Sequence, residues 1–363
     1  MSEHEPVVAV VGTGIGGTEV AGYIGLNGRR VRVHDVRPEA VDGIRARGGL
    51  DVSGMSSGFA PIERATTDLA DVVDGATLII VTTLNNNHRA VAQALAPLLR
   101  DGQTICLMQG YVGGSLEFRR SLAELGARAR VTLGEIDNFP FTGAVLGPSA
   151  VRLASIKRRF QVAALPASGG PALIAAVRAV LPPAAPAANV FQTAFATVNP
   201  TLHVPGMLGN QARLDAGERF QFYGAGITPS VARVIDAVDR ERMVLAQAFA
   251  VDVPAMRGWL AESYGVKNGD LYGMIQQLQR DVFKDSPAPD SLSGRYLTED
   301  VPYGLVPCVE LGRLAGVPTP VSEALTTVAS AALGRDFRSE GRTLERMGLA
   351  GLSLAAARKL VQG

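Results

Sequence analysis

Val7-Val8-Ala9-Val10-Val11 runs directly into Gly12-Thr13-Gly14-Ile15-Gly16-Gly17 near the start of the chain. Five apolar residues bounded by turn glycines are typical of a strand that is buried on both faces of a parallel sheet. The glycines that follow have the spacing G-x-G-x-x-G, and a helix is predicted from about Gly16 to Asn27. In this motif Gly12 permits the tight turn, Gly14 lets a pyrophosphate approach the backbone, and Gly17 lets the helix pack on the sheet. The pattern predicts a dinucleotide-binding site.

A second predicted strand, Val31-Arg32-Val33-His34-Asp35, ends in an acid at the distance from Gly12 where the ribose-binding acid of such sites lies. Asp35 would accept hydrogen bonds from the adenosine ribose hydroxyls and repel a 2′-phosphate, so NADH is the predicted cofactor. Arg37 could neutralise Asp35 or reach a phosphate, which leaves NADPH possible. Thr13 and Ile15, inside the glycine motif, are assigned to the same site.

Strand and helix patterns alternate through the first half of the chain, which indicates a doubly wound parallel sheet of the Rossmann type. One strand closes at Thr82, and another leads into the loop Gln109–Gly114. Loops at the carboxyl ends of parallel strands line the ligand crevice, so Thr82, Gln109 and Gly110 are added to the predicted cofactor site. The further predicted strands are Leu78–Thr82, Thr104–Met108, Arg130–Glu135, Val151–Ser155 and Gln161–Leu165, and the further helices are Pro38–Arg47 and His88–Leu99.

The proline-rich stretch Leu181–Pro186 breaks this alternation. A short strand is predicted at Asn189–Gln192, and helical patterns dominate from about Ala194 onward. We therefore expect a dinucleotide-binding domain over residues 1–193 and an all-helical substrate domain over residues 194–363. The longest predicted helix begins at Thr228, which can cap it. The charges Asp239–Arg242 interrupt the centre of this helix, and an exposed, salt-bridged face is one of the alternatives for them. The predicted helices are Thr228–Ala250, Val253–Ser263, Asp270–Phe283, Gly304–Ala315, Pro320–Leu333 and Leu344–Gly348.

Composition excludes several classes of protein. The chain has 363 residues, a net charge of +1 and no basic run, so no nucleic-acid partner is expected. Its start lacks the features of a signal peptide, and no apolar stretch approaches the ~18 residues of a membrane span. The two cysteines, Cys106 and Cys308, form neither a disulfide framework nor a metal-ligand spacing. We expect a cytoplasmic protein without a metal, and a homodimer.

Four histidines are available for acid–base chemistry. His4 lies at the terminus and His34 in the second predicted strand. His88 begins a predicted helix near the cofactor and is one candidate. His203 lies in a polar segment kinked by proline and glycine, Asn199–Gly206, at the expected domain junction. Two alternatives stay open for His203: a loop histidine that makes a structural hydrogen bond, or a catalytic residue.

The segment Ser286–Leu305 gathers Arg295, Tyr296, Glu299 and Asp300 before a predicted helix start. Asp300 could simply cap that helix. The functional alternative is an aspartate that orients and charges a histidine, with an arginine for a substrate carboxylate.

With these residues the chain resembles the opine dehydrogenase family, of the octopine and carboxyethyl-norvaline type. The resemblance covers nearly the whole chain, and its most specific motif is Arg295-Tyr296-Leu297-Thr298-Glu299-Asp300-Val301-Pro302. The chain departs from the family at Gly294, where a histidine is common, and at Thr142-Gly143-Ala144, where many members have a small residue, Cys and Arg. The other matching stretches are Gly12–Gly17, Gln109–Gly114, Lys157–Pro166, Asn199–His203, Phe222–Ser230 and Asp239–Arg242.

The resemblance implies a Rossmann domain followed by a helical domain, with His203, Arg295 and Asp300 as the catalytic residues. It also implies the reaction: an α-amino acid and an α-keto acid condense to an imine, which NAD(P)H reduces to an N-(carboxyalkyl) amino acid. Two alternatives stay open. One is a simple 2-keto acid or ketone reductase of the ketopantoate reductase type, and the other is a non-catalytic dinucleotide-binding protein.

Overall fold

Strand β1 lies inside an eight-stranded sheet, which explains why Val7–Val11 is apolar throughout. Val8 and Val10 face one hydrophobic core, whereas Val7, Ala9 and Val11 face a second core on the opposite side. This computed structural model describes residues 6–267, 269–284 and 286–363. His4, and the start of the chain on which the prediction of no signal peptide rests, lie outside the described residues.

The strand order of this sheet is β12-β11-β8-β7-β6-β1-β2-β5. All neighbouring pairs are parallel except β8 and β11, so the predicted Rossmann-type sheet is confirmed with one antiparallel pairing near its edge. Its strands are β1 (Val7–Val11), β2 (Val31–His34), β5 (Arg64–Thr66), β6 (Ala76–Val81), β7 (Thr104–Leu107), β8 (Thr132–Ile136), β11 (Gln161–Leu165) and β12 (Ala185–Pro186).

A second, four-stranded sheet has the order β4-β3-β10-β9. Its strands are β3 (Gly49–Gly54), β4 (Gly58–Pro61), β9 (Phe141–Gly147) and β10 (Ala150–Ile156). The strand predicted at Val151–Ser155 exists, but its expected place in the large parallel sheet is wrong. It belongs to β10, which a tight turn at Pro148 and Ser149 folds back antiparallel on β9.

Helices cover both faces of the large sheet. Their bounds are α1 (Ile15–Leu26), α2 (Pro38–Arg47), α3 (Leu69–Val73), α4 (His88–Leu95), α5 (Gly114–Glu124) and α6 (Gly170–Arg178). Burial of both sheet faces is what parallel strands require, because the crossover helices pack on each side.

From Val190 onward the chain is helical. The prediction of a strand at Asn189–Gln192 is wrong, because the Asn189 side chain accepts a hydrogen bond from the Phe191 amide and helix α7 begins there. The helices are α7 (Val190–Ala196), α8 (Asn199–Leu208), α9 (Gln211–Asp215), α10 (Pro229–Ala248), α11 (Met256–Tyr264), α12 (Leu271–Asp281), α13 (Arg295–Thr298), α14 (Val306–Ala315), α15 (Pro320–Leu333), α16 (Phe337–Glu340), α17 (Leu344–Met347) and α18 (Leu354–Gln362).

The chain divides into two compact units. The first comprises Met1–Gly110, Gly114–Thr193 and Val361–Gly363, and the second comprises Tyr111–Gly113 and Ala194–Leu360. Three residues of the predicted cofactor loop, Tyr111–Gly113, are thus part of the helical unit. The sequence pattern carried no sign of this assignment.

Helix α10 begins as predicted, but two of the four charged residues Asp239–Arg242 are buried. Its predicted cap is confirmed, since the Thr228 hydroxyl accepts a hydrogen bond from the Val231 amide. The interpretation of Asp239–Arg242 as an exposed face is wrong for its two ends. Asp239 and Arg242 are buried and paired, with Oδ1 of Asp239 2.9 Å from Nε of Arg242. The other Asp239 oxygen accepts from the Met256 amide, so this pair joins α10 to α11.

Candidate active site

The turn after β1 has the geometry of a dinucleotide-binding turn. Gly12 has φ +104°, a conformation that side-chain-bearing residues rarely adopt. A Cβ placed on Gly17 would lie 1.8 Å from the carbonyl oxygen of Gly12, so only glycine lets α1 begin this close to β1. Thr82 completes the packing, because its hydroxyl donates to the carbonyls of Val11 and Gly12.

The N-terminal end of α1 fits a pyrophosphate. A Cβ on Gly14 would meet no atom within 4 Å, so the backbone there faces open space. No side chain caps α1 at Gly14, and its first turn has no acidic residue that would oppose an anion. Ile15, the first residue of α1, is largely exposed beside this position. The residues present therefore fit the phosphates of an NAD(P) cofactor.

Asp35 lies just beyond β2 and is held by two residues of the predicted site. One oxygen accepts hydrogen bonds from the amide and hydroxyl of Thr13, at 2.9 and 3.1 Å. The other accepts from the amide and Nε of Arg37, at 3.1 and 3.0 Å. Burial opposes ionisation of Asp35, but these hydrogen bonds prevail and hold its pKa below the usual range. The carboxylate is fixed, whereas the Arg37 side chain is more than half exposed.

Gln109 and Gly110 lie at the carboxyl end of β7. The Gln109 side-chain amide donates to the carbonyl of Asp137 over 3.0 Å. A Cβ on Gly110 would lie 2.2 Å from the Glu135 carboxylate, so the loop passes directly over this fully buried acid. Glu135 in turn accepts hydrogen bonds from the amide and hydroxyl of Ser115 at the start of α5. These contacts fix the position of the loop.

The second unit brings His203 and Asp300 together. Nδ1 of His203 lies 2.7 Å from Oδ2 of Asp300, and Asp300 is 0% exposed. The alternative of a loop histidine is wrong in its local structure, since His203 lies in α8, with Pro200 in the first turn and Pro205 inside the helix. The alternative of Asp300 as a helix cap is wrong too. Asp300 precedes the π-helical turn Val301–Leu305, but its side chain does not cap that turn.

One close approach allows this pairing. A Cβ on Gly304 would lie 2.2 Å from Cγ of Pro200, so the π-helical turn packs directly against the first turn of α8. This contact places the residue before the turn, Asp300, beside the residue one turn along α8, His203. The aspartate orients the imidazole through Nδ1.

Aromatic side chains surround the His203 imidazole. Tyr296 stacks on it with the ring centroids 3.8 Å apart, and Phe222 contacts it edge-on. The Tyr223 hydroxyl lies 3.3 Å from Nε2. On the far side of the dyad, the Tyr111 hydroxyl donates to Oδ1 of Asp300 over 2.9 Å. Sequence reasoning gave none of these four residues a role, because only their positions in the fold bring them to His203.

Arg295 begins the short helix α13 and lies near the dyad without forming part of it. Its guanidinium is 3.6 Å from Oε2 of Glu299 and lies over the Tyr296 ring at 5.1 Å from the centroid. The side chain is about half exposed, with a relative accessibility of 47%. Burial acts to lower the pKa of Arg295, but the neighbouring Tyr111, Asp300 and Glu299 raise it above its usual range. Arg295 is a permanent, accessible cation.

The other described histidines lie in the first unit. His88 begins α4 and is fully buried, with its ring edge-on to Phe118. His34 ends β2, and burial lowers its pKa. Within the described ranges, no group of three or more His, Cys, Asp and Glu side chains is arranged to hold a metal ion. Nor do those ranges contain a helix long and apolar enough to cross a membrane.

The fold and the nucleotide turn are those of a dinucleotide-binding protein. A family model described as the alpha-helical domain of NAD/NADP octopine/nopaline dehydrogenases matches residues 186–333. An opine dehydrogenase from Arthrobacter sp. (strain 1C) is 37% identical over 355 residues, which cover 98% of each protein. The chain belongs to the opine dehydrogenase family.

Solved structures share the fold at low sequence identity. Octopine dehydrogenase with NADH and L-arginine is 21% identical with a TM-score of 0.78, and the match covers 99% of this chain and 98% of that one. Yersinopine dehydrogenase with NADP⁺ bound is 16% identical with a TM-score of 0.72, and the match covers 98% of each chain. These likenesses agree with the predicted order of a Rossmann-type region followed by helices.

The open position at Gly14 yields a testable expectation. Gly14→Ala should fold normally, since its methyl group meets no protein atom, but should weaken NADH binding by roughly tenfold or more because the methyl occupies the space of the pyrophosphate. Gly170→Ala is the matched control, a helix-start glycine whose Cβ also meets nothing within 4 Å. NADH titration followed by fluorescence measures both. Unchanged NADH affinity in Gly14→Ala would show that the phosphates bind elsewhere.

Proposed function

We propose that this opine dehydrogenase reduces an imine formed from an α-amino acid and an α-keto acid, and that His203, Asp300 and Arg295 are its catalytic residues. The observation that carries the proposal is the buried pair of His203 and Asp300, 2.7 Å apart, in a chain that also presents an accessible arginine at position 295. Condensation and imine formation require protons to be moved at the amine and at the carbonyl oxygen. A histidine whose unperturbed pKa is ~6.5 suits that task near neutral pH.

His203 would act as general acid and base through Nε2. Asp300 holds Nδ1, so the neutral imidazole carries its proton there and Nε2 is the nitrogen that exchanges protons with substrate. The negative charge of Asp300 also favours the imidazolium that forms when Nε2 takes up a proton. The Tyr223 hydroxyl lies 3.3 Å from Nε2, so substrate would reach this nitrogen beside that hydroxyl or in its place.

Arg295 would bind a substrate carboxylate. Its guanidinium offers a planar pair of donors that matches a carboxylate. Its ion pair with Glu299 is long, at 3.6 Å, and 47% of the side chain is exposed. Both proposed substrates carry an α-carboxylate. When bound, the reduced nicotinamide supplies the hydride, and the residues of this chain supply binding, orientation and proton transfer.

We propose NADH as the preferred cofactor. The Asp35 carboxylate is buried and fixed by Thr13 and Arg37, which suits hydrogen bonding to ribose hydroxyls. The exposed guanidinium of Arg37 offsets part of that negative charge, which supports some use of NADPH. We also propose a cytoplasmic homodimer. Both cysteines are free, which supports a reducing compartment, and analytical ultracentrifugation tests the oligomeric state.

Substitution of the dyad tests the mechanism. His203→Ala should lower kcat roughly 10²–10⁴-fold, because general acid–base help is lost, while NADH binding stays intact. Asp300→Asn keeps the shape but removes the charge, so it should slow turnover comparably. Steady-state assays with an amino acid and a keto acid measure both. His88→Ala is the matched control, since His88 is buried against Phe118 and should leave kcat nearly unchanged. Loss of turnover in His88→Ala but not in His203→Ala would overturn the assignment.

The cofactor preference is tested by kcat/KM with each nucleotide. We expect NADH to be favoured by roughly tenfold or more, because Asp35 repels a 2′-phosphate. Arg37→Ala should increase the preference for NADH, because Arg37 then no longer offsets the repulsion between Asp35 and the 2′-phosphate of NADPH. Arg45→Ala, on the exposed side of α2, serves as a control for loss of one surface arginine. A higher kcat/KM with NADPH in the unsubstituted protein would contradict the proposal.

A further inference from the structure

Asp300 uses both of its carboxylate oxygens. Oδ2 lies 2.7 Å from Nδ1 of His203, and Oδ1 accepts the 2.9 Å hydrogen bond from Tyr111. The Asn199 side chain donates to the same Tyr111 hydroxyl over 3.3 Å. His203 and Tyr111 therefore hold the buried carboxylate from two sides. The sequence analysis placed Tyr111 only in the cofactor loop.

We propose that Tyr111 is a positioning residue of the dyad, whose hydroxyl orients the Asp300 carboxylate and limits the negative charge that Asp300 presents to His203. This inference rests on the proposed role of His203 as the acid–base group. It gives the segment Tyr111–Gly113 a function in the helical unit, to which it belongs.

The backbone of Tyr111 is held in a conformation that is unusual for a bulky residue. Tyr111 has φ +54°, in the left-handed region that bulky residues avoid unless their surroundings enforce it. Two contacts hold the next residue: the Val112 amide donates to the Tyr303 carbonyl, and the fully buried Arg342 donates to the Val112 carbonyl over 2.9 Å. These contacts fix the conformation that directs the Tyr111 hydroxyl at Asp300.

The Tyr111 hydroxyl stays protonated and can only act as a donor to Asp300. Burial, reinforced by the charges of Asp300 and Glu299, raises the pKa of Tyr111 well above its usual value. Arg295, Glu299, Tyr223 and Tyr296 are further ionisable groups around the dyad. Tyr111 helps to raise the pKa of Arg295, but Asp300 and Glu299 raise it as well, so Arg295 stays a cation without this hydroxyl.

The Tyr111 hydrogen bond affects the pKa of His203 because it stabilises the Asp300 carboxylate differently when His203 is neutral and when it is protonated. When His203 is neutral, the Asp300 carboxylate depends strongly on the Tyr111 hydrogen bond. When His203 is protonated, the imidazolium already neutralises the carboxylate, so the hydrogen bond contributes less. Tyr111 therefore stabilises the state with neutral His203 more, and its loss should raise the pKa of His203.

Tyr111→Phe tests this without removing the ring. The pKa of His203, followed by imidazole ¹³C NMR and assigned with His203→Asn, should rise by about one unit. In the pH profile of kcat/KM, the decrease that reports deprotonation of His203 should move to higher pH by the same amount. Tyr272→Phe, a partly buried tyrosine of α12, is the control and should shift neither quantity. An unchanged or lowered pKa of His203 in Tyr111→Phe would overturn the proposal.

Two further variants separate action through Asp300 from a general structural effect. In the Asp300→Asn background, Tyr111→Phe should cause no additional shift, whereas an equal shift there would refute action through Asp300. Asn199→Ala keeps Tyr111 but removes the amide that polarises its hydroxyl, so the pKa of His203 should rise, though by less than in Tyr111→Phe. A lowered pKa of His203 would contradict a hydrogen-bond network from Asn199 through Tyr111 to Asp300. Failure of the proposed function would appear as absent imine reduction in the unsubstituted protein, whereas the NMR titration needs no turnover.

Discussion

The buried carboxylate of Asp300 is the constraint on which the organisation of the helical unit depends. A carboxylate with no exposed surface is strongly destabilising unless charge and hydrogen bonds compensate it. Here His203 and Tyr111 each supply a hydrogen bond, one at each oxygen, and His203 also supplies a positive charge when it is protonated. Removal of either partner leaves an undercompensated charge, so the same contacts that would prepare the acid–base group also hold this part of the fold together.

Backbone packing makes this arrangement possible. The approach of Gly304 to Pro200 brings the π-helical turn onto α8, and the paired Asp239 and Arg242 fix α10 against its neighbours. Arg242 also donates to the carbonyls of Phe195 and Pro254, so one buried cation joins three segments of the chain. The flanking elements are thereby held at defined positions, which the proposed acid–base pair, His203 and Asp300, requires because its members are 97 residues apart in the chain.

Much of the architecture could be predicted because local signals decide it. The glycine spacing, the acid after β2 and the Thr228 cap each depend on a few adjacent residues, and the structure confirms the turn and the cap. The π-helical turn and the small sheet were missed because tertiary pairing decides them. Pro200, Pro205 and Gly206 made the surroundings of His203 resemble a loop, but the helix survives because its buried face packs on α10 and α13.

The candidate site was predicted in its residue types but not in its geometry. His203, Asp300 and Arg295 were identified through a family resemblance, and the structure adds their distances and surroundings. Tyr111 lies in a glycine-rich loop that sequence patterns connect with the cofactor, and its partner is 189 residues away. No periodicity or motif spacing reports such a contact.

The most direct test of the central claim, that this chain joins an amine to a keto acid at one site, is analysis of the product formed with deuterated NADH. The account predicts a secondary amine dicarboxylate with one deuterium on the carbon that came from the keto acid, in equal amount to the NADH oxidised. It also predicts no comparable turnover when the amine is omitted. A deuterated 2-hydroxy acid formed from the keto acid alone, at the same rate with or without amine, would contradict it.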